Sequence, residues 1–297
     1  MTRKPRGNRA FTVIIALLGA ALIIAVLWGI VTGFAKLMHY GENVTIQQET
    51  QPENQEETIP EPEAEEEPLA RNTFNTDGFY EQDGIRRYHG GDLVGLAGVD
   101  VSSYQTNVDW NEVKEAGIDF AMVRVGYRGY SSGELDEDDY FTAHMEGAIR
   151  AGLKVGVYFF SQALTPEEAV EEAEYVLEKI RDYDLQYPVV FDWEEMHVPA
   201  RTDEMNMLML TSCAQAFCET VEAAGYRAGV YFNQAYGSGQ LNLVSLRDYV
   251  FWLAEYAETP SFAYDIQMWQ YTNEGQVPGI EGPVDMNIAF HRKDAAP

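Results

Sequence analysis

Eight short apolar runs, rich in Val, Phe and Tyr, constrain this chain more than any other feature. They cover residues 96–101, 120–125, 155–160, 189–193, 228–232, 250–254, 266–271 and 284–289. Amphipathic stretches separate the first five, and three of these end at a glycine suited to a helix C-terminus: 110–116 before Gly117, 140–151 before Gly152, and 205–224 before Gly225. A fourth opens on Thr165-Pro166-Glu167-Glu168, with Thr as N-cap, Pro in the first turn and Glu at the third position, and runs to about Arg181. Strand–helix alternation predicts a parallel sheet with both faces covered, and eight strands predict a closed α/β barrel. After the fifth strand the helical signal fades to one short helix around Leu246. The competitor is an open doubly wound sheet, but no GxGxxG follows any strand, so a dinucleotide site has no support.

The rest of the chain differs in kind. The net charge of −28 divides into +5 over residues 1–41, −10 over 42–70 and −23 over 71–297. Residues 11–35 carry no charge. As a helix they would span roughly 38 Å, enough to cross a hydrocarbon core of about 30 Å. Arg3, Lys4, Arg6 and Arg9 precede them and favour a cytoplasmic N-terminus. The expected organisation is a basic cytoplasmic tail (1–10), a transmembrane signal anchor (11–35), an acidic Pro/Glu-rich disordered linker (36–71), a lead-in with a hairpin turning at Asp83-Gly84 (72–94), and the barrel (95–297). The alternative for the apolar run is a signal peptide cut after Ala35, which leaves a secreted protein. Either way the barrel is expected outside the cytoplasm. The acidic balance excludes a nucleic-acid partner, and a monomer is expected.

Reactive groups in such a barrel belong at the C-terminal strand ends. Asp100 closes the first strand, Asp192 and Glu194 the fourth, and Asp285 opens the eighth. Residues two apart on a strand share a face, with Cα atoms roughly 6.5–7 Å apart. Two carboxylates so close do not both ionise easily, so one is kept as a general acid near neutral pH, as glycoside hydrolysis requires. Tyr127, Tyr158, Tyr231, Tyr256 and Trp269, with Gln270, are candidates for stacking on sugar faces and bonding hydroxyls. Phe120, Phe191 and Phe251 read as core. The five histidines show no metal spacing, so neither metal nor cofactor is expected, although a carboxylate-held cation stays open. No GxSxG supports a Ser-His-Asp hydrolase. Cys213 and Cys218 lie five apart on one helix, too far around it to bridge, and read as small apolar residues.

With these residues in view, the chain resembles the family 25 glycoside hydrolases, muramidases of bacterial peptidoglycan. The likeness runs over roughly residues 95–291. It is carried by GVDVSSYQTNVDW at 98–110, VGVYFFS at 155–161, VVFDWEE at 189–195, GVYFN at 229–233, FWLAEYA at 251–257 and WQYTNEGQVPGIEGPVDMNIAF at 269–290. The resemblance implies a modified TIM-like barrel of eight strands with about five helices. It also implies hydrolysis of the β-1,4 bond between N-acetylmuramic acid and N-acetylglucosamine, with peptidoglycan glycan strands as partner. By motif it assigns Glu194 as general acid, Asp192 as its partner at the substrate's N-acetyl group, and Asp100 and Asp285 as further active-site acids. The family often reads Tyr-His-Phe where this chain has Tyr158-Phe159-Phe160, which implies the loss of one polar contact. Two other readings remain: a silent wall-binding module, and a carboxylate-metal hydrolase.

Overall fold

The computed structural model describes residues 68–294. The expected tail, membrane helix and nearly all of the linker lie outside the described residues. Among the described residues no helix is long and apolar enough to cross a membrane.

Strands β1 (Phe79–Gln82) and β2 (Ile85–Gly90) form a hairpin. Its two turn residues, Asp83 and Gly84, both have positive φ, 54° and 78°. That is the turn whose twist matches the flanking strands, and Gly at the second place makes it inexpensive. β2 then pairs with the start of β3 (Leu93–Val101), outside the barrel wall.

The barrel runs β3, β4 (Phe120–Arg128), β6 (Lys154–Ser161), β7 (Val189–Trp193), β8 (Ala228–Asn233), β9 (Val250–Ala254), β10 (Met268–Gly275) and β11 (Val284–Arg292), and closes through β11 against β3. A short β5 (Leu135–Glu137) folds back on the end of β4. Pairing from β3 round to β10 is parallel, but β11 is antiparallel to both of its neighbours. The wholly parallel sheet read from the alternation is therefore corrected to a mixed one. The cause is the connection from Gly275 to Val284, which is shorter than the dozen or more residues a parallel crossover needs.

Helices α1 (Trp110–Glu115), α2 (Phe141–Arg150), α3 (Pro166–Ile180) and α4 (Met207–Ala223) follow the first strands of the barrel. Thr165 caps α3 by accepting from the Glu168 N–H, and the Glu168 carboxylate reaches back to the N–H of Leu164. The fifth helix is not at Leu246, where the chain makes turns. It is α5 (Gln234–Gly239), capped by the Asn233 side chain. Two glycines, Gly237 and Gly239, hide it from a propensity reading.

Two apolar layers result from the alternation of strand side chains. Phe120, Met122, Val190, Trp252 and Met268 fill the barrel, while Val123, Phe159, Phe191, Phe217 and Val221 seal strands to helices. Phe251 joins the outer layer. Cys213 and Cys218 are buried and unbridged. Gly98 leaves room for Phe120: a Cβ there would lie 2.3–2.5 Å from the ring, which is itself stacked on Tyr187 at 4.2 Å.

Candidate active site

The mouth of the barrel is a cavity of about 770 Å³ lined by Asp100, Asp192, Glu194 and Asp285 together with Tyr127, Tyr158, Tyr231, Tyr256 and Gln270. The reversal of β11 explains how Asp285, at a strand's beginning, reaches the same end as acids that close theirs. In the antiparallel register it stands directly opposite Asp100. Such partners have Cα atoms about 4.5–5.5 Å apart.

Trp269 is the one predicted site residue that the structure places elsewhere. It neighbours Gln270, so the two face opposite sides of β10, and Gln270 takes the inside. Trp269 is fully buried outside the barrel, edge-on to Phe79 at 5.4 Å, with Nε1 donating to the Glu255 carbonyl at 2.8 Å. Trp252, read as part of an apolar run, is the tryptophan at the mouth. It meets Tyr158 at 5.9 Å and Tyr231 at 5.1 Å, both edge-to-face. Phe159 also faces outward, against Tyr175 at 6.0 Å. A His at that position would not face the mouth, so its absence removes no polar contact there.

A buried hydrogen-bond chain fixes Asp100. Its Oδ2 accepts from Asn287 Nδ2 at 2.7 Å and from Gln270 Nε2 at 2.9 Å. Asn287 Oδ1 accepts from Trp252 Nε1 at 2.8 Å, and Gln270 Oε1 accepts from the hydroxyls of Tyr231 at 3.0 Å and Tyr256 at 3.1 Å. The residues either side of the acid motif are held as well. Gln162 Nε2 donates to the Glu194 carbonyl at 3.0 Å, and the Glu195 N–H donates to the Tyr236 hydroxyl at 3.1 Å. The sequence motifs point to neither Asn287 nor Gln162. Asn287 was findable, because it lies two residues from Asp285 on the same face.

Burial raises all four acids above the ordinary carboxylate range. Asp100 is pushed up to about 6, with its two amide donors opposing the shift. Asp285 rises to about 8 through burial and then the charges of Asp100 and Glu194. Glu194 is raised by burial and then by Asp100. Asp192 is raised well above the ordinary range by burial and then by Glu194 and Asp100, and its Oδ1 is buried without a hydrogen-bond partner. Arg124 opposes that rise and is the cation lining the mouth. Among the described residues no group of three His, Cys, Asp or Glu side chains is arranged to hold a metal ion.

A closed α/β barrel with carboxyls raised in pKa and aromatic rings at the strand ends defines the class of sugar-cleaving barrels. Within it, this chain belongs to the glycosyl hydrolases family 25, whose sequence pattern matches residues 99–280. It is 27% identical over 193 residues to the autolytic lysozyme of Clostridium acetobutylicum, covering 65% of this chain and 55% of that protein. With lysozyme M1 of Streptomyces globisporus it shares 27% over 208 residues, covering 66% and 68%. The chain thus spans little more than half the length of the first of these relatives. In fold it is similar to the modular autolysin LytC of Streptococcus pneumoniae, solved with a synthetic peptidoglycan ligand. That likeness has a TM-score of 0.59 and 24% identity, and covers 72% of this chain and 52% of that one.

Proposed function

We propose that the chain is an N-acetylmuramidase, cleaving the β-1,4 bond between N-acetylmuramic acid and N-acetylglucosamine in peptidoglycan. The observation that carries this reading is the convergence of Glu194 and Asp192 with Asp100 and Asp285 in one buried, aromatic-lined mouth. Burial keeps a proton on Glu194 to higher pH than an ordinary glutamate, which suits a general acid for the leaving oxygen. Positive charge then develops at the anomeric carbon. Asp192, which lines the mouth, meets it directly or through the substrate's N-acetyl group. Asp100, held by two amides, supplies a fixed negative charge across the mouth. Tyr158, Tyr231, Tyr256 and Tyr127 hold the sugars. The apolar run at 11–35 and the acidic linker support an enzyme tethered to the cell membrane with its barrel outside. N-terminal sequencing of the mature protein distinguishes the anchor from a cleaved signal.

The test is digestion of purified walls by the wild-type chain and by Glu194→Gln, with new reducing ends counted. Release by the wild type and its loss in the variant are expected. Binding without release by the wild type would sink the proposal and leave a wall-binding module. Loss of release on adding EDTA would point to a carboxylate-held metal instead.

A further inference from the structure

Tyr104 is 83% exposed at the mouth, yet both its backbone and its ring are held. Its backbone lies within a turn tied at both ends. The Gln105 N–H donates to the Ser102 carbonyl at 2.9 Å, and the Ser102 N–H donates to Gln105 Oε1 at 3.1 Å. The ring rests on the Arg124 guanidinium, 5.5 Å from its centroid, and Tyr127 takes the same guanidinium at 5.6 Å. Arg124 is not free to move. Its Nε donates to Asp138 Oδ2 at 2.8 Å, its Nη2 donates to Ser103 Oγ at 3.0 Å, and the Ser103 N–H donates to the same Asp138 oxygen at 2.9 Å. Asp138 is buried and anchored in turn, since its Oδ1 accepts from the Tyr140 N–H.

Burial does not account for this scaffolding, because the ring it steadies stays in water. One face of Tyr104 is occupied by the guanidinium, which leaves the other for a ligand. A flat aromatic face at the rim of a carbohydrate-sized cleft fits the C–H face of a pyranose. Holding the ring in place beforehand removes the ordering cost that a loose exposed side chain would charge against binding.

We propose that Tyr104 and Tyr127, set in place by Arg124 and Asp138, form an outer sugar subsite on the β3–β4 side of the mouth, taking a pyranose ring of the glycan beyond the one that is cleaved. Arg124 and Asp138 act here as positioning residues. A lysine at 124 would keep the charge but lose the planar fork that binds Asp138 and Ser103 while supporting two rings. The subsite rests on the muramidase reading for the identity of its ligand, a stretch of N-acetylated glycan.

The test uses the full-length chain carrying Glu194→Gln, so that nothing is cleaved during titration. Alternating N-acetylglucosamine–N-acetylmuramic acid oligomers of two, four, six and eight sugars are titrated by calorimetry. A ring stacked on an aromatic face is worth about 1 kcal/mol, or roughly fivefold in affinity. One added disaccharide is therefore expected to bring a step of about that size. Tyr104→Ala erases the step and leaves the shorter oligomers as they were, whereas Tyr104→Phe keeps it. Arg124→Lys loses it too, and the Tyr104→Ala/Arg124→Lys pair loses no more than either alone, because both remove one platform. A step that survives Tyr104→Ala, an equal weakening at every length, or no step in the parent overturns the subsite. Reducing-end release by the unmutated chain is read separately. Binding through Tyr104 without release sinks the hydrolase and leaves the subsite standing.

Discussion

Replacing Asp100 by asparagine should stabilise the protein while disabling it. Burial holds the Asp100 carboxyl at about 6, against 3.8 for the same group in the unfolded chain. Between those pH values the folded form keeps a proton that the unfolded form has released. Stability therefore falls as pH rises through this window, by about 1.4 kcal/mol per pH unit. The loss is absent below the unfolded value, complete above the folded one, and amounts to about 3 kcal/mol. An asparagine mimics the protonated acid and never ionises. Its amide oxygen, placed where Oδ2 lies, still accepts from Asn287 and Gln270. Urea unfolding at pH 7.5 should show Asp100→Asn more stable than wild type by up to about 3 kcal/mol, a rise of roughly 6–12 °C in melting temperature. The gap should close as the pH is lowered towards 4. A variant no more stable than wild type at pH 7.5, or a gap indifferent to pH, refutes the account of Asp100 as a strained charge. The same variant should lose most wall digestion.

Other outcomes follow from the same geometry. The alkaline limb of the pH–rate profile should lie above the 4.5 of an ordinary glutamate, because burial and the Asp100 charge hold the Glu194 proton; a limb at 4.5 counts against Glu194 as the acid. Gly98→Ala should cost about 1–3 kcal/mol by urea unfolding, since Phe120 is pinned by Tyr187 and cannot yield; a neutral result means the ring moves. Trp269→Phe should cost about 1–2 kcal/mol for the lost bond to the Glu255 carbonyl and leave KM unchanged; a raised KM would return that face of β10 to substrate binding.

Much of this architecture can be read before any coordinates, and the places where reading fails have physical causes. The eight apolar runs mark the eight barrel strands because a buried strand needs a continuous apolar stretch. Asp100, Asp192 and Glu194 can be placed at the mouth because they close strands. The direction of β11 could not be read from periodicity, which is the same for a strand run either way; only the short Gly275–Val284 connection betrays it. Trp269 and Gln270 both read as facing sugar, although adjacent strand residues cannot share a face. Applied strictly, the period of two would have kept Gln270, rejected Trp269, and drawn in Trp252 and Asn287. The Arg124–Asp138 pair is different. The two lie 14 residues apart, and β5 folds back on β4 between them, so no local pattern announces their meeting.

The reversed last strand also divides the enzyme into parts that can change at different rates. Asp100 and Asp285 face each other across a ladder of backbone bonds, so their separation is set by the wall of the barrel itself. The rings of Tyr104, Tyr130 and Tyr256 stand on segments beyond the strand ends. Exchanging those segments, by descent or by grafting, leaves the spacing of the acids untouched. Under the proposed function, one reaction can then be redirected from one glycan surface to another by trading rims, with no need to rebuild the chemistry underneath.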